Sequence, residues 1–364
     1  MTLSSERDLI EFRRDGAPPD FSICVPQYNR TSFLLKAVES YSRQTHRSFE
    51  ICISDGASPD GRQTELVDTL LATGIPFAFY RSPVNLRYDA NLRSAIALAR
   101  GNYCVLMGND DAFANPDTLA QLWADIRTHH GPGVVLSDYC DYQSGRRAYA
   151  IRATKNYGGG PRVAAFHFRN YSFVSGIAID RDAAQSLATD KWDGSEMYQM
   201  YIGSRIVAAG RDLLERNVPA VRKDIPAPGE QVDSYARRPR VWPCPIVERP
   251  LPLGQIGRLV ADAIAPYAGP DERRWNEAVL DQLLGITYPF WLTEYRKVQS
   301  WRYAAGVAIG MRPVRTAAGV PLGMLGRARV WMIYWAATVA GLIVPQSVFT
   351  RIKGRLHWLV KTPR

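Results

Sequence analysis

The sequence predicts an α/β fold: a mainly parallel central sheet flanked by helices, followed by a helical C-terminal region. Three observations point there. The short apolar runs FSICV (21–25), FEICIS (49–54) and YCVLM (103–107) are bounded by turn residues. Near-continuous apolar runs of this length read as strands buried on both faces. Helix-length segments separate them, and strands alternating with helices give a mainly parallel sheet. Finally, a polar cluster follows each strand: PQYNR (26–30), SDGASPDG (54–61), SPVNLRYDAN (82–91) and GNDD (108–111). The ligand crevice of such sheets lies outside the carboxyl ends of the strands. All four clusters are therefore expected at one edge.

The elements follow in order. After the first strand, SFLLKAVESYSRQ (32–44) has apolar positions at 34, 35, 38 and 41, with Thr31 or Ser32 as N-cap. Segment 62–73 reads as a second helix and PFAFYR (76–81) as a strand. ANLRSAIALARG (90–101) has a helical stripe at 92, 95, 96 and 99 and stops at Gly101. VVLSDY (134–139) and SFVSGIAIDR (172–181) are expected as further strands, with Asp138 and Asp141 in a polar loop. DGSEMYQMYIGSRIVAAG (193–210) is expected as a helix closed by Gly210. The GGG run at 158–160 fits a loop, since no strand leads into it and no GK[ST] follows. A proline-rich stretch, 223–254, reads as a linker or an irregular wrap. Helices are expected at 255–268 and 275–295.

Charge is unevenly spread. The chain of 364 residues has a net charge of +10. Of its 45 Lys and Arg, twelve lie past Glu294, where there is no Asp or Glu; the other 33 face 35 acids. Such asymmetry points to an anionic surface as partner. No nucleic-acid-binding module accompanies it, which leaves a membrane. The five Cys match no metal-site spacing and are expected as buried free thiols in a reducing compartment. The five His show no ligand spacing either. The N-terminus has no long apolar run, so no secretory signal is expected and the working compartment is the cytoplasm.

ICVPQYNR, FEICISDGASPDG and CVLMGNDDAFANPDTL together resemble the family 2 glycosyltransferases, which have the Rossmann-like GT-A fold. The family pattern is a strand with P-x-Y-N, a strand ending in D-x-x-S-x-D, and a strand ending in D-x-D or x-D-D. The resemblance covers about residues 21–215. YRSPVNLRYDANLRSAIALARGNYCVLMGNDD is particularly similar to members that add sugars, deoxyhexoses among them, to bacterial surface polysaccharides. The chain departs from a common form at Arg87, where many members have glycine, and at Gly108, where many have an acid. The implied organisation is an extension (1–20), a GT-A domain (21–222), the linker (223–254) and a basic, apolar helical region (255–364).

The resemblance also implies roles. Pro26, Tyr28 and Asn29 would begin the nucleotide pocket. Asp55 would hydrogen-bond base or ribose, while Ser58 and Asp60 build the turn after the strand. Asn109 and Asp110 would face the donor. Asp111 would hold a divalent cation, with Asp110 on the ribose or the same cation. Arg30 and Arg87 would contact the diphosphate, since guanidinium matches phosphate geometry. Tyr171, Ser175 and Gly176 would line the acceptor side. Members that invert configuration take their base from a helix start beyond the metal strand; Glu196 is favoured for it here, with Asp193 as the alternative.

The chemistry supports these residue types. A nucleoside diphosphate leaves with several negative charges. Mg²⁺ or Mn²⁺ prefers oxygen ligands and takes one or two protein carboxylates beside phosphate oxygens. Such a cation offsets the repulsion of adjacent acids and stabilises the leaving group. Displacement at the anomeric carbon also needs a base for the acceptor hydroxyl. Asp193 and Glu196 are three apart and would share one face of a helical turn. The competing explanation for both is structural: an acid at a helix N-terminus is favourable by its charge alone.

The tail combines charge with apolar length. VWMIYWAATVAGLIV (330–344) is flanked by Arg327 and Arg329 before and by Arg351, Lys353 and Arg355 after. It is shorter than the roughly 20 residues of a spanning helix, and Pro345 stops it. Trp331, Trp335 and Trp358 suit a lipid–water interface. The expectation is a peripheral or monotopic anchor at the cytoplasmic face of the plasma membrane, which would bring the enzyme to a glycan acceptor carried on a polyprenyl diphosphate. The competing reading of the tail is a helical subdomain. For the whole chain, the competing readings are a degenerate GT-A membrane scaffold and a nucleotidyltransferase; the latter usually opens with a Gly-rich loop, which PQYNR lacks.

Overall fold

The computed structural model describes residues 2–6, 8–13, 15–147, 151, 153–227, 252–298, 300–349 and 351. Most of the proline-rich stretch, Cys244 and the end of the tail from residue 352, Trp358 included, lie outside the described residues. The chain divides into two compact units.

The first unit lies within Met1–Gly158, Tyr171–Gly194 and Arg211–Val232. It opens with β1 (Thr2–Glu6) and β2 (Leu9–Arg13). Strands and helices then alternate: β3 (Phe21–Gln27), α1 (Thr31–Ser42), β4 (Phe49–Asp55), α2 (Gln63–Thr73), β5 (Phe77–Arg81), α3 (Arg87–Ala97) and β6 (Tyr103–Leu106). β7 (Ala112–Phe113), α4 (Thr118–Thr128), β8 (Val134–Asp141) and β9 (Lys155–Asn156) follow. Beyond α5 (Pro161–His167), a helix of the second unit, come β10 (Ile177–Asp180) and α6 (Arg181–Ser186). Beyond α7 (Tyr198–Ala208), also of the second unit, comes β11 (Leu213–Lys223).

These strands form one eleven-stranded sheet, ordered β1-β2-β5-β4-β3-β6-β10-β8-β11-β7, with β9 on β11. Its centre, β5-β4-β3-β6, is parallel, with Cys24 opposite Cys52 and opposite Leu106. β10 is antiparallel to both β6 and β8, and β11 is parallel to β8. The sheet is therefore mixed rather than mainly parallel. β8 and β11 nevertheless run with the central strands, so their carboxyl ends reach the same edge. The core lies on the sheet, where Phe21, Ile23, Val25, Ile51, Ile53 and Phe77 pack with Phe33, Leu34 and Val38 of α1 and Leu66 and Leu70 of α2. Each such side chain contributes roughly 1.5–3 kcal/mol by leaving water. Cys24, Cys52, Cys104 and Cys140 are buried free thiols, as expected.

Other expectations of the first unit change too. Residues 1–20 are no separate extension: β2 pairs antiparallel with β5, and Arg13 forms a buried ion pair with Glu50 of β4, which also accepts from Ser22 Oγ (2.7 Å) and the Arg100 N–H (2.7 Å). The strand expected at 172–181 is only β10, because a 3₁₀ turn occupies Phe168–Ser172 and Gly176 takes a φ of +86°. The N-cap of α1 is Arg30; the Thr31 hydroxyl donates to Asp60 instead.

The second unit is helical. It lies within Gly159–Asn170, Ser195–Gly210 and Asp233–Arg364. To α5 and α7 it adds α8 (Pro252–Ala268), α9 (Glu272–Gln282), a π turn at Leu283–Thr287, α10 (Tyr288–Val298), α11 (Trp301–Gly310), α12 (Pro313–Thr316) and α13 (Met324–Ile343). The segment expected as one helix at 275–295 is thus α9, the π turn and α10. α7 packs on α8, and α10 packs on α11 and α13. Gln282 Nε2 donates to the Ala165 carbonyl (2.9 Å), and Tyr288 Oη pairs with Thr338 Oγ1 (2.8 Å). Among the described residues, no helix is long and apolar enough to cross a membrane.

Candidate functional site

The carboxyl edge of the sheet carries two hydrogen-bonded groups of polar side chains. The first gathers around the ends of β3 and β4. Asp55, 1% exposed, ends β4. It accepts from the Ser58 N–H (3.2 and 3.3 Å) and the Ser58 hydroxyl, with Arg81 Nε at 3.5 Å. Burial raises its pKa, and the Ser58 bonds oppose that rise. Ser58 Oγ in turn accepts from the Asn29 N–H (2.8 Å). Asn29 sits at φ +48°, which Asn tolerates better than most residues. Thr31 Oγ1 donates to Asp60 (2.6 Å) and accepts from Gln27 Nε2 (3.2 Å); Gln27 Oε1 accepts from Asn109 Nδ2 (2.7 Å). Asp55, Ser58 and Asp60 thus hold the β3 and β4 loops in one shape. Tyr28 is exposed above them.

The second group surrounds the acid pair after β6. Asp110 Oδ2 lies 2.5 Å from Arg30 Nη1, and that guanidinium stands 4.2 Å over the Phe33 ring. Asp111 is 4% exposed and both its oxygens are held. Oδ2 accepts from the Ser175 hydroxyl, and Oδ1 from the Asp224 N–H (3.0 Å). Ser175 Oγ also accepts from the Gly108 N–H (2.7 Å), and the Ile225 N–H donates to the Asp110 carbonyl (2.9 Å). Burial, and then the charge of Asp110, pushes the Asp111 carboxyl up to about 7. The buried Tyr41 hydroxyl, without a hydrogen-bond partner, is pushed up by burial and by the charges of Asp111 and Asp110.

The acids converge on Gly108. A Cβ there would stand 3.0 Å from Asp111 Oδ2, 3.1 Å from Asp110 Oδ1 and 3.2 Å from Ser175 Oγ. The space that Gly108 leaves is therefore bordered by two carboxylate oxygens and a hydroxyl. Among the described residues no three His, Cys, Asp or Glu side chains form a cation cage. Two carboxylates are nevertheless what a hard divalent cation takes when phosphate oxygens supply the rest. A cation would also offset the burial and repulsion that raise Asp111.

Other expected residues fall differently. Asp193 and Glu196 do not share a helical turn: α7 starts at Tyr198, and Gly194 and Glu196 have φ of +90° and +60°. Asp193 is gripped bidentately by Arg93, whose Nη2 lies 2.8 Å from Oδ2, and the Gly194 N–H donates to Asp89 (2.8 Å). Asp193 thus fastens a loop. Glu196 is exposed and belongs to the second unit. Arg87 is exposed at φ +57°, a conformation glycine adopts freely. Ser175 binds Asp111 rather than opening onto an acceptor. Gly176 is structural: its N–H donates to the Leu106 carbonyl (2.9 Å), and a Cβ there would lie 3.0 Å from Val221 Cγ2. Tyr171 is wholly buried, and Asp138 lies within β8, paired with Arg147.

Against known proteins, residues 22–179 match the model of "Glycosyl transferase family 2". That span runs from β3 to β10 and holds the acid pair. The chain from Ser22 to Ile179 thus resembles a family 2 glycosyl transferase domain. It is similar to abequosyltransferase RfbV of Salmonella typhimurium, 40% identical over 104 residues, covering 28% of this chain and 31% of that protein. A PGL/p-HBAD biosynthesis glycosyltransferase of Mycobacterium bovis is 32% identical over 124 residues, 34% of this chain and 47% of that one. The matches thus span about a third to a half of these curated relatives. Among solved structures, S. aureus TarS 1–349 in complex with UDP superposes with a TM-score of 0.60 at 14% identity, covering 91% of each chain. The mannosyltransferase PcManGT of Pyrobaculum calidifontis, in complex with GDP-Man and Mn²⁺, gives 0.50 at 17% identity over 95% of this chain and 89% of that one. The fold is GT-A-like, a mixed α/β sheet with flanking helices and a C-terminal helical region.

Sequence reasoning missed further residues, two of them, Lys223 and Asp224, beyond the matched span. Asp224, at φ +59°, supplies the N–H that holds Asp111, and its carboxylate pairs with Lys223. Burial works against the Lys223 ammonium, but Asp224, Asp141 and Asp111 outweigh it and its pKa is raised. The signal was RKDIP after an apolar pair, easily absorbed into the proline-rich stretch. Asp89, buried in α3, had no signal apart from its loop.

Proposed function

We propose that this protein is a cation-dependent, inverting glycosyltransferase. It moves a hexosyl or deoxyhexosyl group from a nucleotide-sugar donor to a hydroxyl of a bacterial glycan carried on a polyprenyl diphosphate. The observation that carries this reading is the pair Asp110–Asp111, turned at the carboxyl end of β6 onto the space that Gly108 leaves. The names of the relatives support it: one transfers abequose, and another at 24% identity acts in amylovoran biosynthesis. Solved structures of similar fold hold UDP-GlcNAc, or GDP-Man with Mn²⁺. Residues 21–222 would form the catalytic domain, and 255–364 would face the cytoplasmic side of the plasma membrane as a peripheral contact.

In this reading Asp111 and Asp110 would hold a divalent cation, which would supply Lewis-acid stabilisation of the leaving diphosphate. Arg30 neutralises Asp110 and keeps its carboxylate turned toward Gly108. Pro26, Tyr28, Asn29 and Asn109 border the nucleotide, and Arg87 is the free-standing candidate for its phosphates. Asp55 shapes that pocket through Ser58. The acceptor oxygen, its proton taken by a carboxylate for which Glu196 is the candidate from the sequence alone, bonds to the anomeric carbon; the carbon–phosphate-oxygen bond breaks opposite, and its electron pair leaves with the nucleoside diphosphate. Ser175 and Gly176 keep the acid pair in place.

The test is release of nucleoside diphosphate from a panel of nucleotide sugars, with Mn²⁺ or Mg²⁺ and a lipid-linked glycan extract. One donor turned over only with cation and lipid-linked acceptor is expected. No turnover of any donor, or equal turnover after chelation, would contradict it.

A further inference from the structure

α13 has two unlike faces. Gly326, Val330, Tyr334, Ala337, Thr338 and Gly341 are buried, three or four residues apart along one side. That side is built for packing. A Cβ at 341 would lie 2.6 Å from Leu292 Cδ2, and one at 326 would collide with Glu277, so each glycine admits a neighbouring helix. Tyr334 Oη donates to the Ala308 carbonyl (2.9 Å), and Arg296 holds the Leu342 and Val344 carbonyls. The helix is therefore a fixed part of its unit and not a free segment.

The other side is apolar and open. Leu325, Met332, Trp335, Val339 and Ile343 follow one another at helical spacing, and Met332, Trp335 and Ile343 are 66%, 56% and 71% exposed. From Val330 to Ile343 the helix carries no charge. Contiguous apolar surface of this kind, rimmed by polar residues, marks a contact site. The surroundings are basic: exposed Arg327 and Arg329 lie on α13, and exposed Arg302 and Arg315 lie on α11 and α12, which pack on it; no acid follows Glu294. Arg329 is offset by Asp281 at 2.8 Å; among the described residues no ion pair involves the other three.

We propose that this outward face of α13 docks flat on an anionic bilayer. Its apolar stripe enters the boundary between headgroups and acyl chains, and the arginines meet lipid phosphates, while the inner face stays packed. The proposal rests on the membrane reading above and specifies the surface. A rigid helical unit docks; no segment has to unfold or span.

The test uses the full chain and sedimentation with phosphatidylcholine vesicles, with and without phosphatidylglycerol. The wild type should bind mixed vesicles and largely ignore neutral ones. The double variant Met332→Glu, Val339→Glu should lower partition about 100-fold or more. Circular dichroism checks that it folds, and the milder Trp335→Ser should show a smaller loss. Wild-type partition in the folded double variant would overturn the face while leaving the membrane reading intact. Wild-type failure on both vesicle types would overturn both. A wild-type dimer that the variants split, with no vesicle binding, would assign the face to a second copy.

Discussion

The acid pair and the C-terminal helical unit both handle charge, in opposite ways. At Asp111 charge is placed by geometry: Ser175 holds one oxygen and the Asp224 N–H the other. In the tail it is placed by composition, with twelve cations, no acids and an open apolar helix face. The first arrangement should fail abruptly when one atom is moved. The second should weaken by degrees and respond to salt.

Four substitutions or conditions sharpen that contrast. Glu196→Gln should keep donor binding and lose roughly 10²–10⁴ in turnover. Steady-state kinetics would check it, and full activity would move the base elsewhere. Gly108→Ala should cost about 10²-fold in cation-dependent nucleotide affinity, because the new methyl meets both carboxylates and Ser175. Calorimetry would read it; unchanged affinity would mean that the acids do not act across that space. Ser175→Ala should cost roughly 10-fold in cation affinity, with Ser175→Thr recovering part of it, since Ser175 orients Asp111 without touching substrate. In the tail, raising salt should weaken binding to anionic vesicles smoothly, and each exposed arginine removed should cost about 1 kcal/mol of partition. A sudden loss on removing a single arginine would instead indicate a specific headgroup pocket.

The central strands were legible because burial on both faces leaves near-continuous apolar runs, as in FSICV and FEICIS. The acid pair was legible because it ends such a run. β11 was not: it carries Glu215, Arg216 and Pro219, and its buried Arg216 is paired with Asp125 of α4, a partner 91 residues away in the chain. Missing β11 hid Lys223 and Asp224. The loop before α7 was misread because its acids have helical spacing, whereas Gly194 and Glu196 take left-handed backbone angles that spacing does not register. Gly108 looked like a lost acid. In the structure it is the room into which Asp110 and Asp111 turn.

The most direct measurement is calorimetric titration of nucleoside diphosphates into the wild type and Asp111→Asn, with and without Mn²⁺. One nucleotide should bind the wild type only with Mn²⁺, and that dependence should vanish in Asp111→Asn while the variant stays folded. Equal binding in both proteins, with or without Mn²⁺, would contradict a cation-binding role for the acid pair.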